Sequence, residues 1–154
     1  MVRITYEAVC AAPVAVTFDY VDELGASDRW MFGVTEVVEL DDEPHGVGKI
    51  YESRFHVKPV TLKTQVRVAE RVVDQLIVTD SVGGFPVRST WRFTPVTAEQ
   101  TKIDATIDYD LPGGIAGKAL GRALEPIVGL CLRKSDSELR KQVAALYAVS
   151  RERR

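Results

Sequence analysis

The hydrophobic period of this chain changes for good at Pro112-Gly113-Gly114. Before that point, outside one short stretch between the first two strands, apolar residues recur at every second position. After it, from Ile115 to Val149, they recur every three or four. A period of two marks a strand with one buried face, and a period near 3.6 marks a helix. A chain with many such strands and one long helix needs that helix as the cover for its sheet, because no other element is large enough.

The alternation is clearest in the last strand. Ile103, Ala105, Ile107, Tyr109 and Leu111 alternate with Lys102, Asp104, Thr106, Asp108 and Asp110. The same pattern predicts strands over Val2 to Cys10, Val34 to Leu40, Lys49 to Val57, a segment with Leu62, Thr64, Val66 and Val68 on one face, Gln75 to Val82, and one with Val87, Ser89, Trp91 and Phe93 inward. Gly83-Gly84 is a hairpin signal. Short links between successive strands favour an antiparallel sheet, wet on one face. Between the first and second strands, Val14, Phe18 and Val21 fall at helical spacing after Ala12-Pro13, and Asp22 to Trp30 reads as a second short helix or turn.

In the terminal helix Leu120, Leu124, Ile127, Cys131, Ser135, Leu139, Val143 and Leu146 form one stripe. Its first half is apolar nearly all round and must be covered on several sides. The sheet covers one side, and the short helices, a second copy in a homodimer, or a ligand could cover the rest. A seven-stranded sheet curls as it twists. Several inward positions are small or polar: Ser53, Thr64, Ser89, Ala105, Gly117, Gly121, Cys131 and Ser135. Beside Tyr51, Phe55, Trp91 and Phe93 they suggest a cavity with aromatic walls. The other reading of the same pattern is a solid core in which large and small residues interdigitate.

Composition narrows the partners. The chain has 154 residues, the size of one domain, here 1–154. Twenty basic and 22 acidic residues give a net charge of −2, with no general attraction to nucleic acid or to an anionic membrane surface. No apolar run reaches the ~18–20 residues of a membrane span, so integral membrane association is not expected. The N-terminus does not read as a signal peptide, which leaves a cytoplasmic location and makes Cys10 and Cys131 reduced thiols. The charge is uneven: residues 113–154 carry nine basic and four acidic side chains. The simplest account is a solvated basic helix face.

Element order and loop chemistry together resemble the START-like (SRPBCC) superfamily, within it the polyketide cyclase/dehydrase and lipid-transport group. The resembling residues are Ala12-Pro13 with Val16 and Phe18, Trp30 before Gly33-Val34, Gly46-Val47-Gly48, Gly83-Gly84, Trp91-Arg92-Phe93-Thr94-Pro95, and Leu111-Pro112-Gly113-Gly114. The resemblance implies an α+β helix-grip fold: a seven-stranded curved antiparallel sheet around a long C-terminal helix, with two short helices after the first strand. It also implies a deep pocket for an apolar small molecule. It does not imply one activity, since members include aromatase/cyclases, lipid carriers, hormone receptors and coenzyme Q-binding proteins.

The residues give little support to catalysis. His45 lies in the acidic turn Asp41-Asp42-Glu43-Pro44-His45-Gly46 and His56 on the face opposite Tyr51 and Phe55, both read as solvated. There is no Gly-x-Ser-x-Gly elbow, no zinc-ligand spacing, no phosphate loop and no dinucleotide fingerprint, so no cofactor and no metal are expected. Asp108 and Asp110 share a face expected to be wet. Asp80, on the set Leu76, Val78, Asp80 and Val82, is either a buried acid or the start of an outward turn, and the second is preferred. Arg54, Arg67, Arg88 and Arg92 reach the pocket only if the register slips by one. Tyr51 and Tyr109 are the weak catalytic candidates, as phenols able to polarise a carbonyl.

The expected ligand wall is Trp30, Tyr51, Ser53, Phe55, Thr64, Val66, Ser89, Trp91, Phe93, Leu120, Leu124, Ile127 and Cys131. Trp30 either stacks on the ligand or plugs the core beneath the short helices. The expected function is binding of a hydrophobic or amphipathic small molecule such as a lipid or polyketide. A polyketide aromatase/cyclase or dehydrase is the alternative. A stress-response or partner-regulating protein without turnover is the third, with an apolar patch around Leu130 and Leu132.

Overall fold

The computed structural model describes residues 2–58, 60–110 and 114–152, with the side chains of residues 60, 114–121, 123 and 124 not described. Strand β1 (Val2–Cys10) is followed by helix α1 (Val14–Asp22) and a 3-10 segment at Leu24–Arg29. Strands β2 (Val34–Glu39), β3 (Ile50–Val57), β4 (Val60–Val72), β5 (Leu76–Gly84), β6 (Val87–Thr97) and β7 (Gln100–Tyr109) come next. Helix α2 (Gly114–Glu152) ends the described chain.

The strands form one antiparallel sheet in the order β1-β7-β6-β5-β4-β3-β2. The first strand pairs with the last in unbroken register, from Val2 opposite Tyr109 to Cys10 opposite Thr101. Register shifts interrupt β2 against β3, β4 against β5 twice, and β6 against β7. Each bulge bends its strand and adds twist, which curls the sheet around α2. This is the helix-grip architecture.

On β7 the inward set Ile103 and Ala105 is buried, while Lys102 and Asp104 face out. Gly33 enters β2 with φ +94°, and a Cβ there would lie 2.3 Å from Phe55 Cε2. Glycine is needed at that point both for the left-handed backbone and for the ring against it.

Helix α2 lays Leu139 and Val143, both fully buried, on the sheet. Polar ties fix its rotation. The Tyr6 hydroxyl donates to Asp136, which Arg140 also holds at 2.7 Å. Gln142 accepts from Tyr20 and donates to the Arg29 carbonyl at 2.8 Å. The stripe of α2 departs from expectation at its end. Leu146 is 46% exposed, and the half-buried Tyr147 packs on the core instead. Positions 146 and 147 flank the Leu139–Val143 line on either side, so the helical period alone does not choose between them.

Two further expectations are adjusted. In β5 the inward set is Ile77 and Thr79, not Leu76, Val78, Asp80 and Val82, so Asp80 does point outward, but by the register of the strand rather than by a turn; it is paired with Arg67 and Arg88 and lies 3.7 Å from the Arg88 guanidinium. Asp108 is not simply solvated: it is 8% exposed and bound by Arg3 Nε at 2.7 Å across the β1–β7 pair. That hydrogen bond holds its carboxyl below the usual range. The Leu111-Pro112-Gly113 stretch and the side-chain positions of Gly117 and Gly121 lie outside the described residues.

Candidate functional site

Between the curled sheet and α2 lies a cavity of about 310 Å³. Every strand contributes to its wall: Ile4 from β1, Val34 and Val37 from β2, Tyr51, Ser53 and Phe55 from β3, Leu62, Thr64 and Val66 from β4, Thr79 from β5, Val87, Ser89 and Trp91 from β6, and Ile107 and Tyr109 from β7. The 3-10 region adds Leu24, Ser27, Trp30, Met31 and Phe32. From α2 come Ile127, Val128, Cys131, Leu132 and Ser135, and the β5–β6 link adds Phe85. Alternation explains the strand contributions, since every second side chain of a curled strand faces the helix.

Of the residues expected in the wall, Trp30, Tyr51, Ser53, Phe55, Thr64, Val66, Ser89, Trp91, Ile127 and Cys131 line this space. Tyr109 and Ser135 line it too. Phe93 does not: it is 4% exposed and packs edge-on against Phe18, centroids 5.2 Å apart, in the solid part of the core. The side chains of Leu120 and Leu124 lie outside the described residues. Leu132 is in the wall, and Leu130 is half-buried. Arg54 and Arg88 face outward, held by Glu36 and Glu52 and by Asp80 respectively.

Sequence reasoning missed Thr79, Met31, Phe32 and Phe85. Thr79 was hidden because Ile77 and Val78 are both buried, so β5 shows no clean alternation. Phe85 carried a signal, an aromatic placed just after Gly83-Gly84 in a link otherwise read only as a turn. Its ring lies 6.0 Å from that of Tyr109.

The polar groups of the wall are all uncharged among the described residues. Most are committed. Ser27 donates to the Leu24 carbonyl at 2.8 Å, and Thr64 to the Phe85 carbonyl at 2.8 Å. Thr79 and Ser89 share one hydrogen bond of 2.5 Å. The Ser135 hydroxyl accepts from the Phe32 backbone N–H at 2.9 Å. Trp30 is different. Its ring meets Trp91 edge-on at 5.7 Å, it is 3% exposed, and its indole Nε1 is the one buried side-chain polar atom without a partner among the described residues. Leaving such a donor unmade costs about 1–3 kcal/mol.

Burial pushes the phenols of Tyr51 and Tyr109 above their ordinary value. Glu39, Asp22 and Asp41 push Tyr51 further, and Glu125 does the same to Tyr109. Both therefore stay protonated at neutral pH. The Cys131 thiol is likewise pushed up by burial, the opposite of what an activated nucleophile needs.

The two histidines lie outside the wall. His56 is exposed and its Nδ1 lies 2.7 Å from the Thr61 hydroxyl. His45 is not purely solvated: its Nε2 lies 2.8 Å from Asp22 Oδ2, and Arg71 donates to the same carboxylate at 2.8 and 3.0 Å. Burial pushes Asp22 up, but the Arg71 and His45 hydrogen bonds outweigh it and hold the carboxyl below the usual range. The nearly buried Lys49 donates to the carbonyls of Asp41 and Glu43, which shapes the β2–β3 loop behind Tyr51.

Comparison with known proteins places this arrangement. A protein of Thermus thermophilus superposes with a TM-score of 0.79 at 18% identity, covering 94% of this chain and 99% of that one. The Zhui aromatase/cyclase of Streptomyces sp. R1128 superposes at 0.78 with 13% identity, over 92% and 93% of the two chains. A START superfamily protein of Mycobacterium smegmatis superposes at 0.68 with 16% identity, over 94% and 98%. At these identities the likeness is one of fold. No curated protein is matched by the sequence. The sequence profile described as polyketide cyclase / dehydrase and lipid transport matches residues 1–144.

Proposed function

Because the chain belongs to the polyketide cyclase/dehydrase and lipid transport family, we propose that it binds a hydrophobic or amphipathic small molecule between the sheet and α2. The carrying observation is the cavity of about 310 Å³, walled by side chains from all seven strands and α2, most of them aromatic or aliphatic. That volume is at the lower end of the ~300–1,000 Å³ of small-molecule sites. Burial of apolar ligand surface supplies the affinity, at about 25 cal/mol per Å² before ordering costs. The ligand wall we propose comprises Trp30, Tyr51, Ser53, Phe55, Thr64, Val66, Ser89, Trp91, Ile127 and Cys131, with Tyr109 at the sheet's β7 side.

Binding is the reading the wall favours, because its polar groups are uncharged among the described residues and several are already committed to backbone groups or to one another.

The test uses N-phenyl-1-naphthylamine, an uncharged dye that brightens in apolar surroundings. The wild-type protein should bind it, and Ser53→Phe, which fills the cavity from β3, should weaken binding at least tenfold while circular dichroism stays unchanged. Equal dye affinity for the two proteins would place the dye elsewhere and overturn the reading.

A further inference from the structure

Two surfaces at opposite ends of α1 carry exposed apolar side chains and charges of opposite sign. At the C-terminal end of α1, Asp22 draws in two other segments: His45 of the β2–β3 loop at 2.8 Å and Arg71 of β4 at 2.8 Å. The loop also runs beside β4, where the Gly48 N–H donates to the Val68 carbonyl at 2.9 Å. The α1 end, the loop and the β4–β5 turn thus form one surface, with Leu40, Val47, Val72 and Val73 exposed on it. Residues 19–43 carry nine acidic side chains and one basic one. Asp42, Glu43 and Asp74 make no ion pair among the described residues. Burial and the neighbouring carboxylates of Asp74 and Asp22 hold the Asp19 carboxyl above its usual range, so Arg71 meets this negative charge only in part.

At the N-terminal end of α1, Pro13, Ala15 and Val16 share a groove with Tyr147 and Ser150 of α2. Here Leu146 and Val149 of α2, three positions apart and so on one face, are each 46% exposed. Lys141 and Ala145, both exposed, continue that face at four-residue steps from Val149. Residues 140–154 carry five basic side chains and one acidic one. Single exposed apolar residues need no account, but six of the nine large ones among the described residues gather on these two surfaces.

We propose that these two surfaces bind each other between copies of this chain: the C-terminal end of α2 on one molecule docks on the acidic loop-and-hairpin end of the next. They do not meet within one molecule, because α1 separates them by about 13 Å and the Tyr147 hydroxyl ties the end of α2 to Glu99 at 2.8 Å. Charge complementarity selects a second copy as the occupant. A net charge of −2 leaves two copies with little overall repulsion, and the opposed local charges orient them end to end. Contact of Leu146 and Val149 with Val47 and Val73 removes apolar surface from water. Because two different surfaces join, every bound copy keeps one of each kind free, and the contact is head-to-tail. None of these residues lines the cavity, so the proposal stands apart from the binding reading.

Sedimentation velocity tests the contact in about 0.01 M and about 1 M NaCl, where the screening length is about 30 Å and about 3 Å. At low salt the mass of the wild type should rise with concentration up to about 1 mM, and high salt should weaken the association at least tenfold. Leu146→Glu spoils one surface, and the double change Asp42→Lys with Glu43→Lys spoils the other. Each variant alone should stay monomeric. An equal mixture of the two should form complexes that stop at two copies, since each variant keeps one intact surface. Circular dichroism and the affinity for N-phenyl-1-naphthylamine should be unchanged in both. On wild type alone, carbodiimide coupling of mixed ¹⁴N- and ¹⁵N-labelled protein at low salt should join Lys141 of one isotope to Asp42 or Glu43 of the other, a readout that needs no variant. A wild type monomeric at low salt, an association that survives 1 M NaCl, folded variants whose mixture stays monomeric, or Lys141 couplings confined to one isotope overturn the head-to-tail contact. Loss of dye binding by the wild type overturns the cavity reading instead and leaves this contact standing.

Discussion

The interior has two ends that are built differently. Around Trp30 and the C-terminal half of α2, Cys10, Ala12, Phe18, Val21, Ile77, Phe93, Ile103, Leu139 and Val143 are buried and packed on one another. Around Tyr109, most of the apolar neighbours are only partly buried: Val2, Ile4, Phe55, Leu62, Phe85, Val87, Ile107, Ile127 and Val128. The cavity draws its wall from both sets. The solid end carries the interactions that fix α2 and α1 on the sheet, and the loose end leaves room for a guest. The lesson is that apolar character alone does not make a core. The residues at the loose end are as hydrophobic as those at the solid end, and what differs is how many sides of each are filled.

The sharpest way to break this comparison is Leu139→Ala. Leu139 is fully buried between α2 and the sheet. Removing its branch from the cluster that includes Cys10, Phe18 and Trp91 should cost about 3 kcal/mol in urea unfolding. A loss below about 1 kcal/mol would mean that the solid end is not solid.

Next in size is Asp22→Asn, which strips the charge from a carboxylate held by Arg71 and His45 at the end of α1. The loss should be about 2 kcal/mol at pH 7. The folded carboxyl titrates below its unfolded value, so the unfolded chain takes up the proton first as pH falls. The stability it contributes is complete above the ordinary carboxylate range near pH 4 and declines as pH falls toward the depressed folded value. Stability–pH curves of wild type and Asp22→Asn should therefore converge on acidification. Parallel curves would refute the role given to this cluster.

A smaller effect is expected from Gly33→Ala. The left-handed backbone and the Phe55 ring 2.3 Å from the added methyl together should cost about 1–2 kcal/mol. Phe55 is in the cavity wall, so dye affinity should fall with stability. Full dye affinity in this variant would separate the turn from the site.

How far the sequence carries depends on how one-sided each element is. The faces of β7 and β3 could be read, because Lys102 and Asp104 on one and Arg54 and His56 on the other mark the outer side, although Asp108 and Glu52 on that side are buried. β5 could not, since Ile77 and Val78 are both buried and Thr79, not Asp80, turned out to face the helix. The helical stripe was legible from Ile127 to Val143, the part with described side chains, then failed where Leu146 and Tyr147 flank one place. Long-range pairs were out of reach. Asp22 and Arg71 are 49 positions apart, and only the fold brings them within 2.8 Å. The unpartnered N–H of Trp30 has no sequence signal at all, because it depends on what does not lie next to the ring.

The smallest stability effect is expected at the loose end, from Phe85→Ala. Phe85 is half-buried, and its ring lies against Tyr109 at 6.0 Å with a cavity surface on its other side. Its removal leaves fewer contacts to lose and space already open to take up the change, so the cost should be about 1 kcal/mol, well short of Leu139→Ala. Its effect on the guest should be larger than its effect on the fold. With one wall of the Tyr109 end gone, bound N-phenyl-1-naphthylamine should leave several-fold faster in stopped-flow dilution. Equal destabilisation by Phe85→Ala and Leu139→Ala would erase the difference between the two ends. A fold barely perturbed and a guest that escapes faster is the pattern that only a half-filled interior produces.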